Sequence, residues 1–207
     1  MTKWAAFPNA GKCDFDVCGV RKNWAHLHKS DGEPQPDDPN VLLAWALFHS
    51  GEFQKATEAG LRAGGAGVTV ANKSTCIYAT YLEKKEKTRL DLYLEVAKWA
   101  QAQASLEPNN ANAWYWHAYA LGRYSQGISL AKALAQGIGG TVKRSLETTI
   151  QLQPLHADAH ISLGAFHAEV IDKVGSLIGS ITYGARKEVG PNSFRTRSFS
   201  SPGRSLA

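Results

Sequence analysis

Cysteine is scarce: three residues in 207, an odd number. That excludes a disulfide framework and suits a reducing compartment. Cys13 and Cys18 stand too far apart for a zinc knuckle, and no later Cys/His pair completes one, so free thiols are expected. Long apolar runs are absent. No stretch approaches the roughly 20 apolar residues of a membrane span, and the opening MTKWAAFPNAGKCDFDV lacks the basic start and apolar run of a signal peptide. Together these absences point to a cytoplasmic protein with no membrane partner. Alternating strand patterns are missing as well, which leaves an all-α reading. Excess charge is missing from most of the chain. The net charge is +5, but residues 186–207 carry +4 of it, through Arg186, Lys187, Arg195, Arg197 and Arg204 against Glu188. A body of net +1 offers nucleic acid no basic face, so no nucleic-acid partner is expected.

What is present is helical punctuation. Residues 1–40 read as an irregular N-terminal segment ending in SDGEPQPDDPN, where Pro34, Pro36 and Gly32 mark turns. From Val41 the texture changes. VLLAWALFHSGEFQKATEAGLRAGG predicts a helix, a break at Ser50-Gly51 and a second helix stopping at Gly64-Gly65. Residues 72–108 repeat the scheme, with a polar linker around Lys84–Thr88 and a stop at Pro108. NNANAWYWHAYALGRY opens a third pair whose second helix, TVKRSLETTIQLQP, follows the insert SQGISLAKALAQGIGG. HADAHISLGAFHAEVIDKVG opens a fourth.

EPNNANAWYWHAYALG and QPLHADAHISLGAFHA align from Pro108 and Pro154. Trp114 then matches His160, His117 matches Leu163, Ala118 matches Gly164, and Leu121 matches His167. Ala44 and Ala79 fill the same small-residue slot upstream, where a paired helix must approach closely. This arrangement resembles the tetratricopeptide repeat (TPR), a helix-turn-helix unit of about 34 residues. ALGRYSQGISLAKALAQGIGG, HADAHISLGAFHAEVIDKVG and TYGA resemble, more narrowly, a group of bacterial repeat proteins. That group is similar in arrangement to the repeat component associated with TRAP-type transporters and, more distantly, to the regulator of microtubule dynamics proteins. The resemblance runs from Met1 to about Ala185 and is specific in residues 111–185. It implies a TPR-like domain over 41–185, a short solenoid of antiparallel helix pairs with a binding role and no catalytic residues. Past Ala185 the resemblance fails. Pro191 and an aperiodic Ser/Arg-rich composition predict a disordered tail at 186–207, of the kind a shifted frame or a truncated gene produces. The final helix, roughly Ala157–Lys173, then lacks a covering neighbour, and Ile161, Phe166 and Ile171 become candidates for self-association.

Three constellations invite chemistry. His156, His160 and His167, with Glu169 and Asp172 behind them, suggest a metal or small-molecule site. But His156 precedes the helix, no His-Glu-x-x-His pattern is present, and two of the three occupy packing slots. GIGGTVKRS, Gly137 to Ser145, lacks the Gly-Lys-Ser/Thr order of a phosphate loop and reads as a helix entry with Thr141 as its cap. The aromatic run Trp114, Tyr115, Trp116, Tyr119 is too many-sided to bury against one neighbour. Trp114 and Ala118 are expected in the core. Tyr115, His117 and Tyr119, together with Asn110, Asn112, Tyr78 and Tyr81, are expected to face a partner protein or peptide along the concave surface. The reading is a non-catalytic scaffold, with no cofactor, rather than an enzyme. The alternatives are the histidine-cluster site and a transporter accessory.

Overall fold

The computed structural model describes residues 3–8 and 15–175, and the described residues form helices without strands. They are α1 (Val17–Leu27), α2 (Pro39–His49), α3 (Phe53–Ala63), α4 (Gly67–Tyr81), α5 (Glu86–Leu106), α6 (Ala111–Gln126), α7 (Leu130–Ala135), α8 (Ile138–Leu152) and α9 (Ala157–Val174). Short connections turn α3 back on α2 and α5 back on α4, and α8 returns to α6 across the insert, giving the pairs α2/α3, α4/α5 and α6/α8, with α9 opening a fourth. The first helices α2, α4, α6 and α9 also touch in series.

The breaks follow from local chemistry. Asp38 caps α2 by accepting from the Asn40 amide at 2.8 Å, ahead of Pro39, whose missing N–H costs nothing in a first turn. Asn110 caps α6, its Oδ1 accepting from the Ala113 amide at 3.1 Å. The small slots are filled as the repeat requires: Ala44, Ala79, Ala118 and Gly164 are all buried. The closest approach lies between α3 and α4, where Gly60 and Gly67 face each other. A Cβ on Gly60 would stand 2.4 Å from the Gly67 carbonyl oxygen, and one on Gly67 would stand 2.5 Å from that of Gly60. Side chains of α1, α2 and α3 form one core around Trp24, Leu42 and Trp45, while a second, around Val96, Trp116 and Leu146, joins α4 to α9.

Several local expectations are corrected. The segment 1–40 contains a helix, α1, with Asp16 as its cap. Helix α8 begins at Ile138, three residues before Thr141. Gly137, at φ 62°, is its cap residue, and the Thr141 hydroxyl instead donates back to the Gly137 carbonyl at 3.3 Å. The insert needs no correction: its apolar stretch, about one short helix long, forms α7. Trp114 lies half-buried at the edge, and Trp116 takes the core position. In α9, Ile161 is exposed while Phe166 and Ile171 are half-buried. The predicted tail at 186–207, and the domain's last ten residues to Ala185, lie outside the described residues.

Candidate functional site: a segment laid across the first helices

Helix α1 ends at His28, and the chain then turns tightly, the Gly32 amide donating to the His28 carbonyl at 2.7 Å. Gly32 adopts φ 53°, in the left-handed region that favours glycine, and a Cβ there would also meet the side chain of Gln153. Residues 28–33 consequently run across the first helix of every pair. Toward α2, His28 Nε2 stands 3.4 Å from His49 Nε2, and its ring packs edge-on against Trp45. Toward α4, the Asp31 carboxylate receives Lys73 Nζ at 2.5 Å. On α6, Asn112 Nδ2 donates to the Asp31 carbonyl at 3.2 Å and to Glu33 Oε2 at 2.6 Å. At α9, the Ser30 carbonyl accepts the Ala157 amide at 2.9 Å. Gln153, in the turn before α9, donates to the Gly32 carbonyl at 3.0 Å, and Trp24 Nε1 donates to the Glu33 carbonyl at 2.8 Å.

The tautomers are set by these partners. His28 Nδ1 faces Asp31 at 3.1 Å and therefore donates, leaving Nε2 to accept from His49. His156 Nδ1 accepts the Ala159 amide at 3.2 Å, so its Nε2 donates to Asn112 Oδ1 at 2.9 Å. All three rings are held neutral. Burial lowers His28, against the opposing pull of Asp31, and lowers His156; burial and the neighbouring His28 and Lys73 lower His49 to about 3. The two acids behave oppositely. Burial opposes the charge on Asp31, but the His28 hydrogen bond and Lys73 overrule it and hold the carboxyl well below its ordinary range. Burial, then repulsion from Asp31, lifts Glu33 to about 8, with the Asn112 hydrogen bond opposing.

The residues expected to face a partner are mostly placed inside. Asn112 is buried in the network just described, and Tyr115 is buried with its ring 4.8 Å from that of His156. His117 is buried, its Nδ1 3.0 Å from Ser145 Oγ on α8. Tyr78 is buried under Trp4, the rings stacked at 4.1 Å, on the side that carries residues 3–8. Asn110 is a cap. Tyr119 is half-buried, its hydroxyl 3.1 Å from Thr80 Oγ1. Tyr81 is exposed, 71% of its surface open. Burial corrects the expectation of groove exposure for Asn112, Tyr115, His117 and Tyr78.

The three histidines of α9 do not converge either. His156 and His160 take over the work of their counterparts in the preceding unit. His156 caps α9 as Asn110 caps α6, and His160 Nε2 meets the Pro154 carbonyl at 2.9 Å, as Trp114 Nε1 meets that of Pro108 at 2.9 Å. His167 is buried, and Glu169 pairs with Lys173 at 2.6 Å. Among the described residues no three His, Cys, Asp or Glu side chains are grouped to hold a metal ion, which corrects the His156/His160/His167/Glu169 alternative.

The network escapes sequence reasoning because the partners of His28, Asp31 and Glu33, namely Lys73 on α4 and Asn112 on α6, lie 42 and 79 positions away in the chain. Its one local signal is two acids flanking a glycine before a proline run.

No helix among the described residues is long and apolar enough to cross a membrane. Neither a curated protein nor a solved structure matches the chain significantly. A family profile, that of regulator of microtubule dynamics protein 1-3, matches residues 68–173, spanning α4 to α9. The matched residues make up half of the chain and cover the pairs α4/α5 and α6/α8 with α9, so the chain belongs to the regulator of microtubule dynamics protein 1-3 family.

Proposed function

We propose that the protein is a non-catalytic interaction scaffold whose first-helix face takes an extended, acidic polypeptide segment. One observation carries the reading: residues 28–33 already lie on that face as such a segment, bonded to side chains or amides from all four first helices. Recognition uses Lys73 for an aspartate, Asn112 for the carboxyl two residues on, and Gln153 and the Ala157 amide for backbone carbonyls. TPR-type stacking suits this role, because successive pairs present equivalent helices along one continuous face. The non-catalytic reading rests on burial. His117 and Ser145, the pair nearest in form to a base and nucleophile, are both buried and serve to join α6 to α8. Cysteine usage is what favours the cytoplasm as the compartment.

The test uses the full chain and a fluorescent peptide of residues 26–36 carrying Glu33→Gln, so that its third recognition group stays neutral. In the Asp31→Ala chain the internal segment loses its hold on Lys73, and the peptide is captured, as read by anisotropy. The wild-type chain near neutral pH leaves it free, and a peptide that also carries Asp31→Ala binds neither. An Asp31→Ala chain with intact helical circular dichroism that ignores the peptide would overturn the proposal.

A further inference from the structure

Two acidic side chains, two residues apart, share one desolvated pocket with unequal support. Asp31 has Lys73 Nζ, His28 Nδ1 and the Glu33 amide as donors. Glu33 has the Asn112 amide. The groups that face Glu33 are Asp31 from its own segment, Asn112 from α6, Lys73 from α4 and Glu107 from the end of α5. Lys73 is already committed to Asp31, and both acids are repulsive toward a Glu33 carboxylate. His28 at the end of α1, His49 of α2 and His156 before α9 stand round the same network and are neutral, so they add no positive charge. With Glu33 protonated, Lys73 and Asp31 balance. With Glu33 ionised, the pocket carries an excess negative charge on a residue only 7% exposed, a state that burial strongly disfavours.

We propose that Glu33 is a proton-operated latch: while it holds its proton, segment 28–33 stays across the first helices, and loss of the proton releases the segment and opens that face. The inference rests on the reading of the face as a site for extended segments and adds its regulation. Release is local. The segment is held by side-chain and cap bonds rather than by a hydrogen-bond ladder of its own, whereas the helices keep theirs, so opening the segment is the cheapest relief for the buried charge. Segment 28–33 then acts as an internal competitor that acidity strengthens and alkalinity removes. Because burial and Asp31 lift Glu33 to about 8, the closed state weakens roughly thirtyfold between about pH 6.5 and about pH 9, nearly all of it before the pH passes about 8.

Amide hydrogen exchange read by mass spectrometry on the full chain tests this, with rates corrected for the intrinsic effect of pH. In the wild type, protection of residues 28–34 falls roughly thirtyfold over that range while α5 is unchanged; in the Glu33→Gln chain, which cannot ionise, protection persists. The Gln-bearing peptide reports the same event, captured by the wild type at the alkaline end and by Asp31→Ala throughout. Equal protection of residues 28–34 in wild type and Glu33→Gln at the alkaline end overturns the latch. If that happens while Asp31→Ala still captures peptide, the scaffold reading stands alone. If exchange follows Glu33 but no chain captures peptide, the latch stands and the scaffold reading falls.

Discussion

Replacing Asn112 by alanine separates the two roles its sequence position suggests, groove contact and internal strut. The Asn112 amide serves three buried partners at once: Glu33 Oε2, the Asp31 carbonyl and His156 Nε2. Alanine orphans all three, and each buried polar group left without a partner costs about 1–3 kcal/mol. Water entering the space vacated by the amide recovers part of that loss. A net destabilisation of about 3–4 kcal/mol is therefore expected, a large share of the ~5–15 kcal/mol that holds an ordinary domain together. Equilibrium urea unfolding followed by circular dichroism measures it, the midpoint falling while the slope stays constant. A groove-lining asparagine would change stability by no more than ~0.5 kcal/mol. A loss below ~1 kcal/mol would refute the argument that this residue holds the segment to α6. Tyr81→Ala, at a 71% exposed position, is the matched control and should leave the midpoint in place.

Other consequences follow from the same geometry. Gly60→Ala gains helix propensity but forces a Cβ against the Gly67 carbonyl, so a net loss of about 2 kcal/mol is expected in the same unfolding assay. Gly122→Ala, in α6 with nothing within 4 Å of its added carbon, should instead stabilise by about 0.5–1 kcal/mol. Thermal stability should peak near neutral pH. His28, His49, His117, His156 and His167 have lowered folded-state values, so the unfolded chain binds more protons below about pH 6.5 and stability is lost as pH falls. Glu33 is raised to about 8, so its contribution is present below the ordinary carboxylate range and is lost as pH rises through about 8. Glu33→Gln should remove the fall between about pH 6.5 and about pH 8 and steepen the acid limb, and a wild-type melting temperature constant between about pH 6.5 and about pH 8 would contradict the assignment. Ile161→Asp, at an exposed position on α9, should reduce any self-association seen by light scattering at high concentration; association unchanged by it would remove this face from consideration.

The paired helices from α2 onward were legible because their boundaries are written locally, whereas α1 was not. Gly64-Gly65, Pro108 and Pro154 end helices, Asp38 and Asn110 begin them, and each signal acts within a few residues. The register of the last two units was legible for the same reason, and the paired bonds of Trp114 and His160 to prolyl carbonyls repeat it at atomic detail. What each side chain faces was not legible. Asn112 and His117 look like groove residues on a helix taken alone, because periodicity gives the face and not what covers it. They are interior because α8 covers His117 and residues 31–33 cover Asn112, the latter from about 80 positions earlier in the chain. Lys73 reads as an ordinary solvated cation for the same reason, yet it lies between Asp31 and the rings of Trp45 and Phe48.

The division of labour in this network coincides with the boundary of the family match. Lys73, Asn112, Gln153 and the amide of Ala157, which receive the segment, all lie within residues 68–173. The segment itself, with His28, Asp31 and Glu33, lies outside it, as does the first pair that supplies Trp45 and His49. The receiving groups and the segment are thus separate stretches of one chain, joined by buried polar bonds to Asn112 and by the Ala157 amide rather than by apolar packing in the second core. Removing the segment's hold should therefore expose polar groups ready for an equivalent strand without dismantling Val96, Trp116 and Leu146 beneath them. That separation makes exchange of an internal strand for an external one physically reasonable. A segment that contributed to the core could be released only by unfolding the domain.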